Sequence, residues 1–280
     1  MRRLLVLLPF ALACAPGTNP GTSPSRSAPP AEASDAATVE EASADVGTDV
    51  GPAALTADAP ILALTVGAIT GYVALPIGAT SPRPIVVGVH GAEDHADWSC
   101  YEWAATLAAY AWVVCPQGPA FRTGFVWSSA EQIYERAMAL VAEVERRWPE
   151  WVAEGPMVYG GWSQGAMLAP TVIASHPGTF DRAVLVEAGY TPMNGDASVG
   201  ALAKGGVRRV LVSCSSTPCR TLSKSMVDAG PKHGVDVATN DVGLRGHWFD
   251  APVFESLGEK WPSLVSGDPR WAGYRAPSQR

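Results

Sequence analysis

From Ile61 onward, short β-branched runs alternate with segments whose apolar positions recur every three to four residues. Ile61–Val66 and residues 72–75 read as an opening strand pair around Gly71. Ile85–Val89 is a continuous apolar run, the mark of a strand buried on both faces. A helical pattern over 100–110 leads into a strand at 111–115. The clearest helix spans 129–148, with Ile133, Ala137, Val141, Val144 and Trp148 on one face and Glu143 four residues before Arg147 on the other, and Pro149 ends it. The alternation continues with strands at 157–159, 183–187, 209–213 and 235–238. Helices fall at Gln164–Ser175, near 222–229 and from Ala251. Strands separated by helical segments imply right-handed crossovers, hence an α/β fold with a mostly parallel sheet flanked by helices on both faces. No segment is long enough for a large cap domain, although 188–206 could form a small flap.

Before Ile61 the pattern disappears. Residues 15–60 are rich in Ala, Pro, Gly, Ser and Thr, with seven acids against Arg26 alone, and read as a disordered linker that carries most of the net charge of −7. The folded domain is then expected over 61–280. Charge of this sign, without clustered Lys or Arg, argues against a nucleic-acid partner. The chain is 47% apolar, yet no run approaches the ~18 residues of a membrane-spanning helix.

Arg2 and Arg3, the apolar stretch from Leu4 to Leu12 and the small residues before Cys14 read as a targeting segment over 1–14. Ala11-Leu12-Ala13-Cys14 resembles the lipobox of bacterial lipoproteins, with Ala11 where Leu is usual. The resemblance implies lipidation of Cys14 and an exported chain, periplasmic or at the cell surface, held to the membrane by that anchor alone. Ala15 after the cysteine, rather than Asp, favours the outer membrane. In an oxidising compartment the other four cysteines can form two disulfides. Three pairings are possible, and proximity favours Cys100 with Cys115 and Cys214 with Cys219. The spacings are not those of a zinc site, and no His accompanies either pair.

Gly161-Trp162-Ser163-Gln164-Gly165 is a G-x-S-x-G placed directly after a strand and before a helix. The chemistry needs this context: a serine on a tight turn projects its hydroxyl above the sheet, and glycine is required where a Cβ would strike the neighbouring elements. The amide of Gln164, at the start of the helix, then points toward a developing oxyanion. His90-Gly91-Ala92 follows an earlier buried strand, and Gly246-His247-Trp248 follows the last one. His176 and His233 sit at helix ends and read as structural. Glu93, Asp94, His95 and Asp97 could suggest a metal, but a solvated loop rim is the simpler reading.

With these motifs in place, the chain resembles the α/β-hydrolases over residues 61–265, nearest to compact carboxylesterase-like members with Gly-x-Ser-Gln-Gly turns. The resemblance implies Ser163 as nucleophile, His247 as general base after it in chain order, and the Ala92 and Gln164 amides as oxyanion donors, with His90 bracing its loop. The chain departs from the family at the acid. The usual Asp lies in the loop after the strand ending near Ser213, and that loop reads Cys214-Ser215-Ser216-Thr217-Pro218-Cys219. Glu187, at the end of the preceding strand, is an alternative acid position of the fold, with Asp241 and Asp250 as rivals. Trp127, Trp162 and Trp248 fall in segments expected to border the substrate cleft.

These readings converge on an exported esterase acting on a small-molecule ester through an acyl-enzyme, with no cofactor and no metal implied. The alternatives are a peptidase on the same fold and a non-catalytic envelope binding protein whose triad has degraded.

Overall fold

A computed structural model describes residues 53–191 and 193–279. Residues 1–14, with the expected targeting segment and Cys14, and most of the 15–60 segment lie outside the described residues. The packed chain begins before Ile61: Leu55 is buried, its N–H donates to Ala79 O at 2.8 Å, and its carbonyl accepts from Gly78 N at 2.8 Å.

The strands are β1 (Ile61–Val66), β2 (Ile69–Ala74), β3 (Ile85–Val89), β4 (Trp112–Pro116), β5 (Ala120–Phe121), β6 (Gly124–Phe125), β7 (Met157–Trp162), β8 (Phe180–Val186), β9 (Arg209–Cys214) and β10 (Asp236–Asp241). The helices are α1 (Ala96–Leu107), α2 (Ala130–Arg147), α3 (Gln164–Ser175), α4 (Gly195–Lys204), α5 (Thr217–His233) and α6 (Ala251–Leu264). Eight strands form one sheet in the order β1-β2-β4-β3-β7-β8-β9-β10, and β5 and β6 make a separate small hairpin. β1 and β2 pair antiparallel, as do β2 and β4, and every later pairing in the sheet is parallel.

Alternation along the central strands divides the core into two layers. Ile85, Val87 and Val89 of β3 face one side with Val210 and Val212 of β9, where they meet Leu140 of α2, Ala169 of α3 and Met226 of α5. Val86 and Leu211 face the other side, where Trp103 and Leu107 of α1 and Leu257 and Trp261 of α6 lie. Each fully buried Val or Leu stabilises by ~1.5–3 kcal/mol, which explains why the middle of the sheet reads as unbroken apolar runs. Ser129 caps α2, its hydroxyl accepting from Gln132 N at 3.1 Å.

Two expectations are corrected here. The first hairpin turns at Gly67-Ala68, with Gly67 at φ +58°, whereas Gly71 lies inside β2 opposite Pro116. Glycine is needed there because a Cβ would collide with Cys115 O and Leu140. The 188–206 segment is not a free flap: its helix α4 buries Val199 and Leu202 in the layer of α3 and α5. Both disulfides favoured by proximity are present, with Cα–Cα distances of 5.6 Å for Cys100–Cys115 and 5.4 Å for Cys214–Cys219.

Candidate active site

Parallel strands running the same way bring their C-terminal ends to one edge of the sheet, and the chemistry-bearing residues follow three adjacent ends: Ser163 after β7, Glu187 after β8 and Ser215 after β9. Ser163 has φ +49° and ψ −110°, a conformation that costs a non-glycine residue ~1–3 kcal/mol. Its surroundings enforce it. Ser163 N donates to Val186 O and Ser163 O accepts from Met167 N, both at 2.9 Å. The flanking glycines let the turn close: a Cβ at 161 would lie 2.7 Å from Ala166 N, and one at 165 would lie 2.6 Å from Val89 O.

His247 Nε2 lies 2.8 Å from Ser163 Oγ. On the far side of the imidazole, Nδ1 lies 3.5 Å from Glu187 Oε2. Glu187 is fully buried and also has positive φ, +52°, its N–H donating to Ser213 O at 2.9 Å. Its other oxygen, Oε1, accepts from the Ser215 amide and lies 3.0 Å from Ser215 Oγ. Burial opposes the charge on Glu187, but the neighbouring His247 imidazole and hydrogen bonds from Ser216 and Ser215 outweigh it and hold the carboxyl below the usual range. Ser215 also fixes the loop that carries His247. Its hydroxyl lies 2.7 Å from Gly246 O, and its carbonyl accepts from Arg245 N and Gly246 N at 2.8 and 3.0 Å. The two rival acids are turned elsewhere: Asp241 pairs with Arg220, and Asp250 with Arg245 at 2.8 Å.

The β3–α1 loop passes directly over Ser163, since a Cβ on Gly91 would stand 3.1 Å from Ser163 Cβ. Ala92 follows it, and Gln164 opens α3, where first-turn amides have no intrahelical partner. His90 is buried beneath this loop. Its Nε2 accepts from Gly118 N at 3.0 Å, so Nδ1 carries the proton that reaches Gly91 O at 2.6 Å. Burial holds the ring neutral by lowering its pKa to about 4.

Of the three tryptophans expected at the cleft, Trp127 is not there. It is buried, its Nε1 donates to His90 O at 3.0 Å, and its backbone is held by both ends of the Gln164 amide side chain at 2.9 Å. It braces the β3–α1 loop against the serine turn. Trp162 does border the site, stacking on the His247 ring at 4.5 Å with 27° between planes. Tyr190, which sequence reasoning missed, packs its ring against the imidazole at 4.0 Å. Trp162 and Trp248 also wall a cavity of about 530 Å³ with Phe249, Phe254 and two residues of α1, Trp98 and Tyr101.

No protein-family model and no curated protein matches the chain. Among solved structures, it is similar to a fluorophosphonate-binding serine hydrolase of Staphylococcus aureus, solved with substrate bound, at TM-score 0.54 and 15% identity over 77% of this chain and 99% of that one. A carboxylesterase from Mesorhizobium loti matches at TM-score 0.52 and 20% identity, over 73% and 99% of the two chains. The chain has the α/β-hydrolase fold. An uncharacterized Bacillus cereus protein shares it at TM-score 0.52 and 16% identity, over 67% of this chain but only 61% of its own length. Here β1–β4 and β7–β10 supply the eight-stranded sheet, and the β5–β6 hairpin lies between β4 and α2.

Proposed function

We propose that this chain is a serine hydrolase of carboxylic esters acting through an acyl-enzyme. The observation that carries the reading is the single line of contacts from Ser163 Oγ through His247 to buried Glu187, ending on a serine held at positive φ above the sheet. In that line, Ser163 Oγ attacks the ester carbonyl while His247 Nε2 takes its proton, and Glu187 stabilises the imidazolium so formed. The Ala92 and Gln164 amides receive the oxyanion. His247 returns the proton to the departing alkoxide, leaving an acyl group on Ser163. It then removes a proton from the water that attacks the acyl carbonyl, and gives it back to Ser163 as the acid departs.

Two disulfides fit a chain that works in an oxidising compartment after export, and the proposed lipid anchor at Cys14 rests on the Ala11-Leu12-Ala13-Cys14 motif alone. The test of the activity is labelling of the purified protein with a fluorophosphonate probe, followed by mapping of the modified residue. Ser163 should carry the probe, and Ser163→Ala should lose both labelling and hydrolysis of short p-nitrophenyl esters. Undiminished hydrolysis by the Ala variant would reject the assignment.

A further inference from the structure

The aromatic cavity beside Trp162 is also lined by four carboxylates: Asp94, Asp97, Glu102 and Asp250. No Lys or Arg is among its lining residues, and the neighbouring cation, Arg245, is spent on Asp250 Oδ2 at 2.8 Å. Glu102 Oε2 and Asp250 Oδ1 are both buried from solvent without a hydrogen-bond partner among the described residues. Apolar walls alone would suffice for a neutral acyl chain. Carboxylates gathered into such walls are electrostatically unfavourable until a positive charge joins them.

We propose that this cavity seats an alkylammonium group of the substrate, so that the esters cleaved at Ser163 carry a positive charge on the part lying beside Trp162. The inference rests on the ester-hydrolase reading of Ser163. Ring faces attract a cation through their quadrupoles, and methylated ammonium, being weakly hydrated, loses little on entering an aromatic box. The carboxylates supply the countercharge. A metal ion does not fit the same walls, which are mostly rings where converging oxygen ligands would be needed. The mouth is open, because Trp98, Tyr101 and Trp248 are 58%, 61% and 60% exposed.

The electrostatics of the cavity agree. Burial, then the charges of Asp94 and Asp250, push the Glu102 carboxyl up to about 9, and burial likewise raises Asp94. The titratable and charged groups around Glu102 are Asp97 on its own helix, Asp94 on the β3–α1 loop with His95 beside it, whose ring packs on Trp98 at 4.3 Å, and Asp250 at the N-cap of α6, paired with Arg245. A bound cation favours the ionised form of Glu102, so binding should release a proton.

The decisive comparison uses two isosteres, choline and 3,3-dimethylbutan-1-ol, titrated calorimetrically into the whole protein, and their acetate esters as substrates. The cation should bind at least about tenfold more tightly than its neutral isostere, with a matching preference in kcat/KM. Its affinity should rise between about pH 6 and 9. Glu102→Gln, which mimics the protonated acid, should remove that pH dependence and reduce the preference, and Trp98→Ala, at an exposed position, should also reduce it. Equal affinity for the two isosteres in protein that still takes the fluorophosphonate at Ser163 overturns this inference and leaves the hydrolase reading standing. Preferred binding of choline in protein that takes no label upholds the cation site and overturns the reading of Ser163.

Discussion

Glu187 Oε2 faces His247 Nδ1 across 3.5 Å, and neither atom has another polar partner among the described residues. The carboxylate lies one strand nearer the nucleophile than the position implied by resemblance, and glutamate's extra methylene helps it reach the ring.

Glu187→Gln removes the charge that stabilises imidazolium while keeping the side chain's shape. We expect kcat on a neutral p-nitrophenyl ester to fall by about 10⁴ with KM little changed, as when a triad acid is neutralised. Asp241→Asn, which alters only the surface pair with Arg220, should leave kcat within about twofold. Equal losses from the two substitutions would remove Glu187 from the relay.

Ser215 connects Glu187 to the loop of His247, touching Glu187 Oε1 and Gly246 O with one hydroxyl. Ser215→Ala should cost about tenfold in kcat, equivalent to ~1.4 kcal/mol, again with little change in KM. Ser215→Thr should restore most of it. Wild-type protein should also lose stability as pH falls below the ordinary glutamate range, because Glu187 is held below that range when folded and must be protonated at this cost. The Ala variant, with a weaker hold on the charge, should lose less over the same range. Acid unfolding followed by circular dichroism measures both.

Glu102 gives the opposite dependence. Its carboxyl sits at about 9 when folded against an ordinary 4.5, so its contribution to stability is complete below pH 4.5 and declines as pH rises toward 9, where the unfolded chain gains from ionising it. Glu102→Gln has no such proton to lose. The difference in Tm between variant and wild type should therefore move in the variant's favour from pH 5 to pH 8.5. A constant difference across that range would show that Glu102 is not held protonated.

The serine turn was legible because it is local: two glycines flank Ser163 within five residues, and the turn's constraints act over the same span. Glu187 was reachable for a related reason, since a parallel sheet places consecutive strand ends side by side. Ser215 was invisible, because its importance lies in joining residues 28 and 31 positions away. Trp127 was misplaced because sequence position near the cleft does not say which way an indole turns, and its N–H was claimed by His90 O. The cavity left only a faint trace. Trp98 and Tyr101 are exposed, while Ser99, Cys100 and Trp103 form the buried side of α1, so a helical wheel shows large aromatics outside the core stripe without saying what covers them. Gly71 reads in sequence as a turn glycine, whereas the closeness of β4 and Leu140 is what requires it.

The contact between Ser215 and Glu187 has an evolutionary consequence. The two side chains meet at one point in space from the ends of adjacent strands, so a carboxylate introduced at 215 would arrive where the present acid is already held. A lineage could thus move the acid from one strand to the next, and back, by two substitutions without losing the serine or the histidine. The intermediate is constructible: a Glu187→Ala, Ser215→Asp protein should hydrolyse p-nitrophenyl esters faster than Glu187→Ala alone, and equal rates would show that the two positions are not exchangeable. On this view, moving the carboxylate between these two positions is a single lateral step along the sheet edge, taken around His247.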